Sequence, residues 1–208
     1  MSYYDKTFDL NDLQTVDFVK SQWAGPGIAH TMLTFGFRGR DYLTVSAEAR
    51  RERGEPQTAL RGLFKQYEII YVLGDERDLI RLRTNFRGEE VYLYATRFTP
   101  EQSRIVLLDI LEKVNRLAEK PEFYDTLTQN CTLTLVPHLE KIRPRRGFDI
   151  RLLLNGYTDE IGYENGAIAT NNLPFAELQD LCHINKYVKD HPEADGYSKR
   201  IRPHIQGR

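Results

Sequence analysis

The feature that most constrains this chain is the order of its hydrophobic periodicities: a period of two comes first and helical spacing follows. Residues 28–37, IAHTMLTFGF, alternate. His30, Met32, Thr34 and Gly36 share one face, and Thr31, Leu33, Phe35 and Phe37 share the other. DYLTVSAEA (41–49) alternates again, with Tyr42, Thr44, Ser46 and Glu48 opposite Leu43, Val45 and Ala47. Arg38-Gly39-Arg40 between them reads as a turn in which Gly39 is free to take positive φ. DFVKSQW (17–23) predicts a strand ahead of these. YEIIYVLG (67–74), DLIRLRTN (78–85) and EVYLYATRF (90–98), rich in β-branched and aromatic residues, predict three more. The polar stretch RRERGEPQTALRGLF (50–64) reads as a loop.

Helical spacing takes over at Thr99. Thr99-Pro100-Glu101-Gln102 carries a cap, a first-turn proline and the Gln of a capping box. Ile105, Leu108, Leu111, Val114 and Leu117 follow as a core-facing stripe, and Pro121 ends it. CTLTLVPHLEKI (131–142) predicts a helix opening at or near Cys131, shortened or kinked by Pro137. FDIRLLLNGY (148–157) predicts a short helix stopped by Gly156, and PFAELQDLCHINKYV (174–188) an amphipathic one. Strands before helices predict the α+β class, an antiparallel sheet with helices packed against it. The 208 residues suffice for one core, so residues 1–208 are expected to form a single domain with a loose polar tail from about 190.

Charge and cysteine usage narrow the function. Lys+Arg is 29 and Asp+Glu 30, a net charge of −1, which gives no electrostatic reason to expect nucleic acid. The runs KIRPRR (141–146) and KRIRPH (199–204) read as a solvated turn and tail. No apolar stretch approaches the roughly 18–20 residues that span a bilayer, and MSYYDKTFDLNDL lacks a signal pattern. Two cysteines, Cys131 and Cys182, are too few for a disulfide framework or a cysteine-rich zinc site. One disulfide between them stays open and would exclude thiol chemistry. Cys182-His183 are helix neighbours that point apart, and His138, His191 and His204 lack partners at ligand spacing, so neither metal nor cofactor is expected.

The chemistry gathers at two places. A three-residue Arg38-Gly39-Arg40 loop sets Phe37 opposite Asp41, and counting back puts His30 opposite Glu48; a two-residue loop would put Ala49 there. A cross-strand carboxylate can accept from one imidazole nitrogen and leave the other as a base. Cys131 follows Gln129-Asn130 at a loop-to-helix junction, where unpaired N–H groups favour a thiolate and can hold an oxyanion. Spacing alone also fits a buried apolar cysteine and an ordinary hydrogen-bonded strand histidine. Arg81 and Arg83, on one face of the 78–85 strand with Asn85 following, fit a phosphate or carboxylate clamp or an ion-paired surface. Tyr67 fits a pocket border or packing, and Asn130 an oxyanion donor or a helix cap.

At these residues the chain resembles a bacterial family. IAHTMLTFGF, YLTVSAEARRERGE, LRGLFKQYEIIYVLGDERDLIRLRTNFRGEEVYLY, PEFYDTLTQNCT, RLLLNGYTDE and LPFAEL are similar, in order, to signature segments of the Lnb N-terminal periplasmic domain family. The resemblance implies a circularly permuted papain-like (NlpC-like) fold, with the histidine strand ahead of the cysteine helix. It implies Cys131 as nucleophile and His30 as base; Glu48 as the group holding His30 joins the hairpin register to the resemblance. The implied function is acyl transfer through a cysteine thioester, from a phospholipid to a lipoprotein amine, at a periplasmic membrane surface. A cysteine peptidase or amidase acting on cell-wall peptides, and a non-catalytic envelope-binding domain, are the alternatives. The oligomeric state is left open.

Overall fold

The computed structural model describes residues 5–39, 41–50, 67–124, 130–144, 147 and 149–205. Its strands are β1 (Leu13–Gln22), β2 (Ala29–Phe37), β3 (Asp41–Arg50), β4 (Tyr67–Gly74), β5 (Glu90–Ala95) and β6 (Phe123–Tyr124). They form one antiparallel sheet in the order β5-β1-β2-β3-β4-β6. The described helices are α1 (Glu76–Arg81), α2 (Pro100–Glu119), α3 (Cys131–Glu140), α4 (Thr158–Glu164), α5 (Phe175–Cys182), α6 (Asn185–Val188) and α7 (Tyr197–Arg200). The fold is α+β, as the order of periodicities requires.

Alternation in β2 decides what covers each face. Its odd side sends Leu33 and Phe35 into a core with Val45, Val106, Ile110 and Leu135, beneath α2 and α3. Its even side sends Met32 into a second core with Val19, Ile80, Val91, Ile184 and Tyr197. Every residue of β2 is therefore buried. The β2–β3 register runs from Phe37 opposite Asp41 to Met32 opposite Ser46, and Gly39 takes φ +82° in the turn. That is the register of the three-residue loop; Arg40 itself lies outside the described residues, as does the expected loop beyond Arg50 up to residue 64.

Several elements differ from the sequence expectation. Residues 78–85 are not a strand: Asp75 caps α1 by accepting the Arg77 N–H, and Leu82–Phe86 adds a π-helical turn. Ile80, Leu82 and Thr84 mimic a period of two over a short window, whereas Asp75-Glu76 is a helix start. The capping box of α2 forms, and Leu111 and Val114 pack against the core as expected, but the fully buried face is Ser103, Val106, Leu107 and Ile110, while Ile105 and Leu108 are exposed. The helix α3 runs through Pro137 for three further residues. Of the expected 148–157 helix, residue 148 lies outside the described residues and 149–157 give two 3-10 turns, Ile150–Leu153 and Asn155–Tyr157, with Gly156 inside the second. The 174–188 helix breaks at an extended His183 into α5 and α6, and α4 was not anticipated.

The described part of the tail, up to residue 205, is not loose. Tyr197 and Ile201, one helical turn apart, are fully buried, and Arg202 forms ion pairs with Glu76 and Asp17 on the even face. Two apolar anchors in a polar stretch suffice to dock it, although its composition reads as solvated.

Candidate active site

His30 and Glu48 come together as the hairpin arithmetic requires, but through a serine. His30 Nε2 lies 2.6 Å from Ser46 Oγ, Ser46 Oγ donates to Glu48 Oε1 at 2.8 Å, and Nε2 is 3.7 Å from that same oxygen. Ser46 has one proton and gives it to Glu48, so it accepts from the His30 Nε2–H. Arg83 donates to Glu48 at 3.0 Å and to Glu89 at 3.2 Å, and Glu89 accepts from Ser21 at 2.5 Å. Burial first, and the Arg83 charge second, push His30 down to about 3, which keeps the ring neutral.

That shift sets a direction for acid stability. The unfolded histidine takes up a proton near its ordinary 6.5, whereas the folded one resists down to about 3. Stability is therefore lost as pH falls through this window, at up to about 1.4 kcal/mol per unit for this group. His138 and His204 are also lowered by burial and add to the slope. Urea unfolding between pH 4 and 6.5 is expected to show a shallower acid slope in His30→Gln than in the parent. An unchanged slope would refute this account of the ring.

Cys131 sits on the other side of the sheet. Asn130 caps α3 with its side chain, accepting the Leu133 N–H at 2.9 Å, and Thr31 and Thr132 hydroxyls meet at 3.0 Å. Successive strand residues point to opposite faces, so only one of His30 and Thr31 can look towards α3; it is Thr31. Among the described residues no hydrogen bond joins Cys131 to His30, the pairing expected from the sequence. Cys131 Sγ instead accepts from Asn155 Nδ2 at 3.2 Å and from Thr31 and Thr132. The sulfur is buried, and this burial raises the thiol above its ordinary value, while the hydrogen bonds from Thr31 and Thr132 pull it back down. The expected thiolate is therefore a thiol at rest, because desolvation outweighs the donors. Cys182 is pushed up to about 12 by burial; both cysteines are free, so no disulfide joins them.

A cavity of about 820 Å³ lies on the Cys131 face. Phe18, Leu33, Phe98, Val136 and Ile161 line it, together with Thr132, the residue after the cysteine.

The remaining predicted residues divide between the faces. Arg83 is buried in the His30 network, whereas Arg81 donates to the Pro192 carbonyl and stacks on Phe86. Lying on helical backbone rather than a strand, the two arginines make no common clamp. Tyr67 is buried on the Cys131 face and paired with Tyr124 at the β4–β6 edge.

Sequence reasoning missed two polar groups on this face. Lys20, cross-strand partner of Thr31, is buried with Asp159 at 2.5 Å, and its ammonium donates to the Gly156 carbonyl at 3.1 Å. That contact fixes the turn bearing Asn155. The other group is His138, whose Nδ1 lies 2.6 Å from Asp109 and whose Nε2 lies 2.8 Å from the Tyr71 hydroxyl. Seven residues along α3, about 10 Å from Cys131, it ties α3 to α2 and β4 rather than serving the sulfur. Neither partner set has a spacing signal, since each spans more than 25 residues of sequence.

Among the described residues no group of three or more His, Cys, Asp and Glu could hold a metal, and no helix is long and apolar enough to cross a membrane. No curated protein and no solved structure matches the chain. The family described as the Lnb N-terminal periplasmic domain matches residues 1–156, a span that holds the His30 strand, Glu48, the Cys131 helix and Asn155. The chain belongs to the Lnb N-terminal periplasmic domain family, a bacterial family of the cell envelope.

Proposed function

We propose that this domain transfers an acyl group through a thioester on Cys131, with a long-chain ester, such as a phospholipid, as donor and an amine as acceptor. The observation that carries the reading is the convergence of donors from Thr31, Thr132 and Asn155 on one sulfur at a helix N-terminus. The mainly apolar lining of the adjacent cavity, broken by Glu140, Arg143 and Asp149, favours an acyl chain over a cell-wall peptide, which would need a polar cleft. The thiol is protonated at rest and reacts as its minor thiolate form. Sγ attacks the acyl carbon; the C–S bond forms as the carbonyl pair moves to oxygen. Collapse breaks the C–O bond, and the thiol proton ends on the released alcohol. An amine then attacks the thioester: the C–N bond forms, the C–S bond breaks, and an amine proton returns to sulfur.

Burial of Cys131, with His30 turned to the opposite face, favours a second reading: a non-catalytic envelope-binding domain. Incubation with p-nitrophenyl laurate or phosphatidylethanolamine vesicles, followed by intact mass spectrometry, separates them. The expected result is one hydroxylamine-labile acyl adduct, absent from Cys131→Ala. An adduct that survives in Cys131→Ala rejects the thioester, and an unmodified parent protein leaves the binding reading in its place.

A further inference from the structure

We propose that Asn155 is a catalytic residue of this site, its carboxamide donating to Cys131 Sγ before reaction and to the acyl carbonyl oxygen during it. This rests on the acyl-transfer reading above. The side chain is spent in a way that folding does not reward. Its Nδ2 donates to sulfur, a weak acceptor, at 3.2 Å. Its Oδ1 is buried with no hydrogen-bond partner among the described residues. An amide retained for stability would satisfy both ends, because an unpaired buried carbonyl is costly.

The backbone around Asn155 is fixed from three directions. Its carbonyl accepts from the N–H of Thr158 and, at 2.8 Å, from the Thr158 hydroxyl. The next N–H, of Gly156, donates to the Gly27 carbonyl at 3.3 Å, and the Gly156 carbonyl accepts from Lys20. A neutral donor held this way needs no reorganisation when charge develops beside it. As the C–S bond forms, the carbonyl pair moves onto an oxygen next to Sγ, within reach of the same N–H. The unpaired Oδ1 then offers an acceptor for an N–H of the incoming amine, which suits an amine acceptor bearing a spare proton.

The test uses the full chain and Asn155→Asp, which keeps the shape and replaces the donor with an acceptor. Two quantities are read. One is the pH profile of Cys131 alkylation by iodoacetamide, resolved from Cys182 by peptide mass spectrometry; the other is the nitrophenolate burst with p-nitrophenyl laurate. Asn155→Asp is expected to move the alkylation profile to higher pH and to slow the burst about 100-fold or more, as loss of one oxyanion donor does elsewhere. The thermal midpoint is read for each variant: the buried carboxylate of Asn155→Asp lowers it, and neutral Asn155→Ser should stay nearer the parent. Asn155→Ser, too short to reach the sulfur, is expected to shift the profile the same way and serves if the carboxylate disturbs folding. An unshifted profile in both variants overturns the inference. A parent protein with no burst rejects the acyl-transfer reading and with it the role at the carbonyl oxygen, even where a shifted profile supports the Asn155–sulfur contact.

Discussion

Lys20→Met is expected to cost the folded state about 3–5 kcal/mol, measured as a fall in the urea unfolding free energy at neutral pH. Lys20 and Asp159 are almost wholly removed from solvent, with Nζ 2.5 Å from Oδ2. The ammonium also stands 4.8 Å from the centre of the Tyr92 ring. Methionine keeps the apolar stem and removes the charge, so packing changes little. What is left is a buried Asp159 carboxylate that still accepts from Tyr94 at 2.6 Å and Gln179 at 3.1 Å but lacks a counter-ion. Uncompensated burial, not loss of attraction alone, makes the penalty large. Adding Asp159→Asn should recover part of it, because the neutral amide is cheaper to bury. A Lys20→Met protein as stable as the parent would refute the buried pair. The Gly156 carbonyl also loses its donor, so the variant should react more slowly at Cys131 even where it is folded.

The parts of this architecture written in local pattern were legible in the sequence. The β2–β3 hairpin was, because a three-residue turn and a period of two fix the register, and His30 meets Glu48 as that register demands. The capping box of α2 was, because four neighbouring residues carry it. Which face α3 would cover was not. Thr31 and His30 are neighbours with opposite directions, and only the packing of Leu135 on Leu33 and Phe35 selects the odd face. The sequence showed a histidine and a cysteine with the right chemistry, while tertiary packing gives each its own partners, Ser46 for His30 and Asn155 for Cys131. Asn155 and Lys20 escaped for a related reason. Each acts through a partner more than 20 positions away, and Lys20 in a strand reads as solvent-facing until α4 covers it.

Gly156→Ala is expected to destabilise the protein by about 3 kcal/mol and, on the acyl-transfer proposal, to cut acyl-enzyme formation at least tenfold. The cause is space rather than conformation. Gly156 has a φ that any residue adopts, but a Cβ there would lie 1.9 Å from the Pro26 carbonyl oxygen and 2.8 Å from its carbon. Both atoms are backbone, so no rotamer change relieves the contact, and the 25–28 segment or the 155–157 turn must move. Gly39 makes the contrast. Its φ is +82° with nothing within 4 Å of an added Cβ, so Gly39→Ala is expected to cost about 1 kcal/mol of strain and to leave the sulfur untouched. Moving the turn by the ångström or more that Gly156→Ala requires breaks the Gly156–Gly27 hydrogen bond and carries Asn155 off Cys131. Paired measurements of unfolding and of the Cys131 alkylation profile in the two glycine variants check this. If Gly156→Ala alters stability but leaves the profile where Gly39→Ala leaves it, Asn155 tolerates displacement, and the close approach of the two backbones serves packing alone.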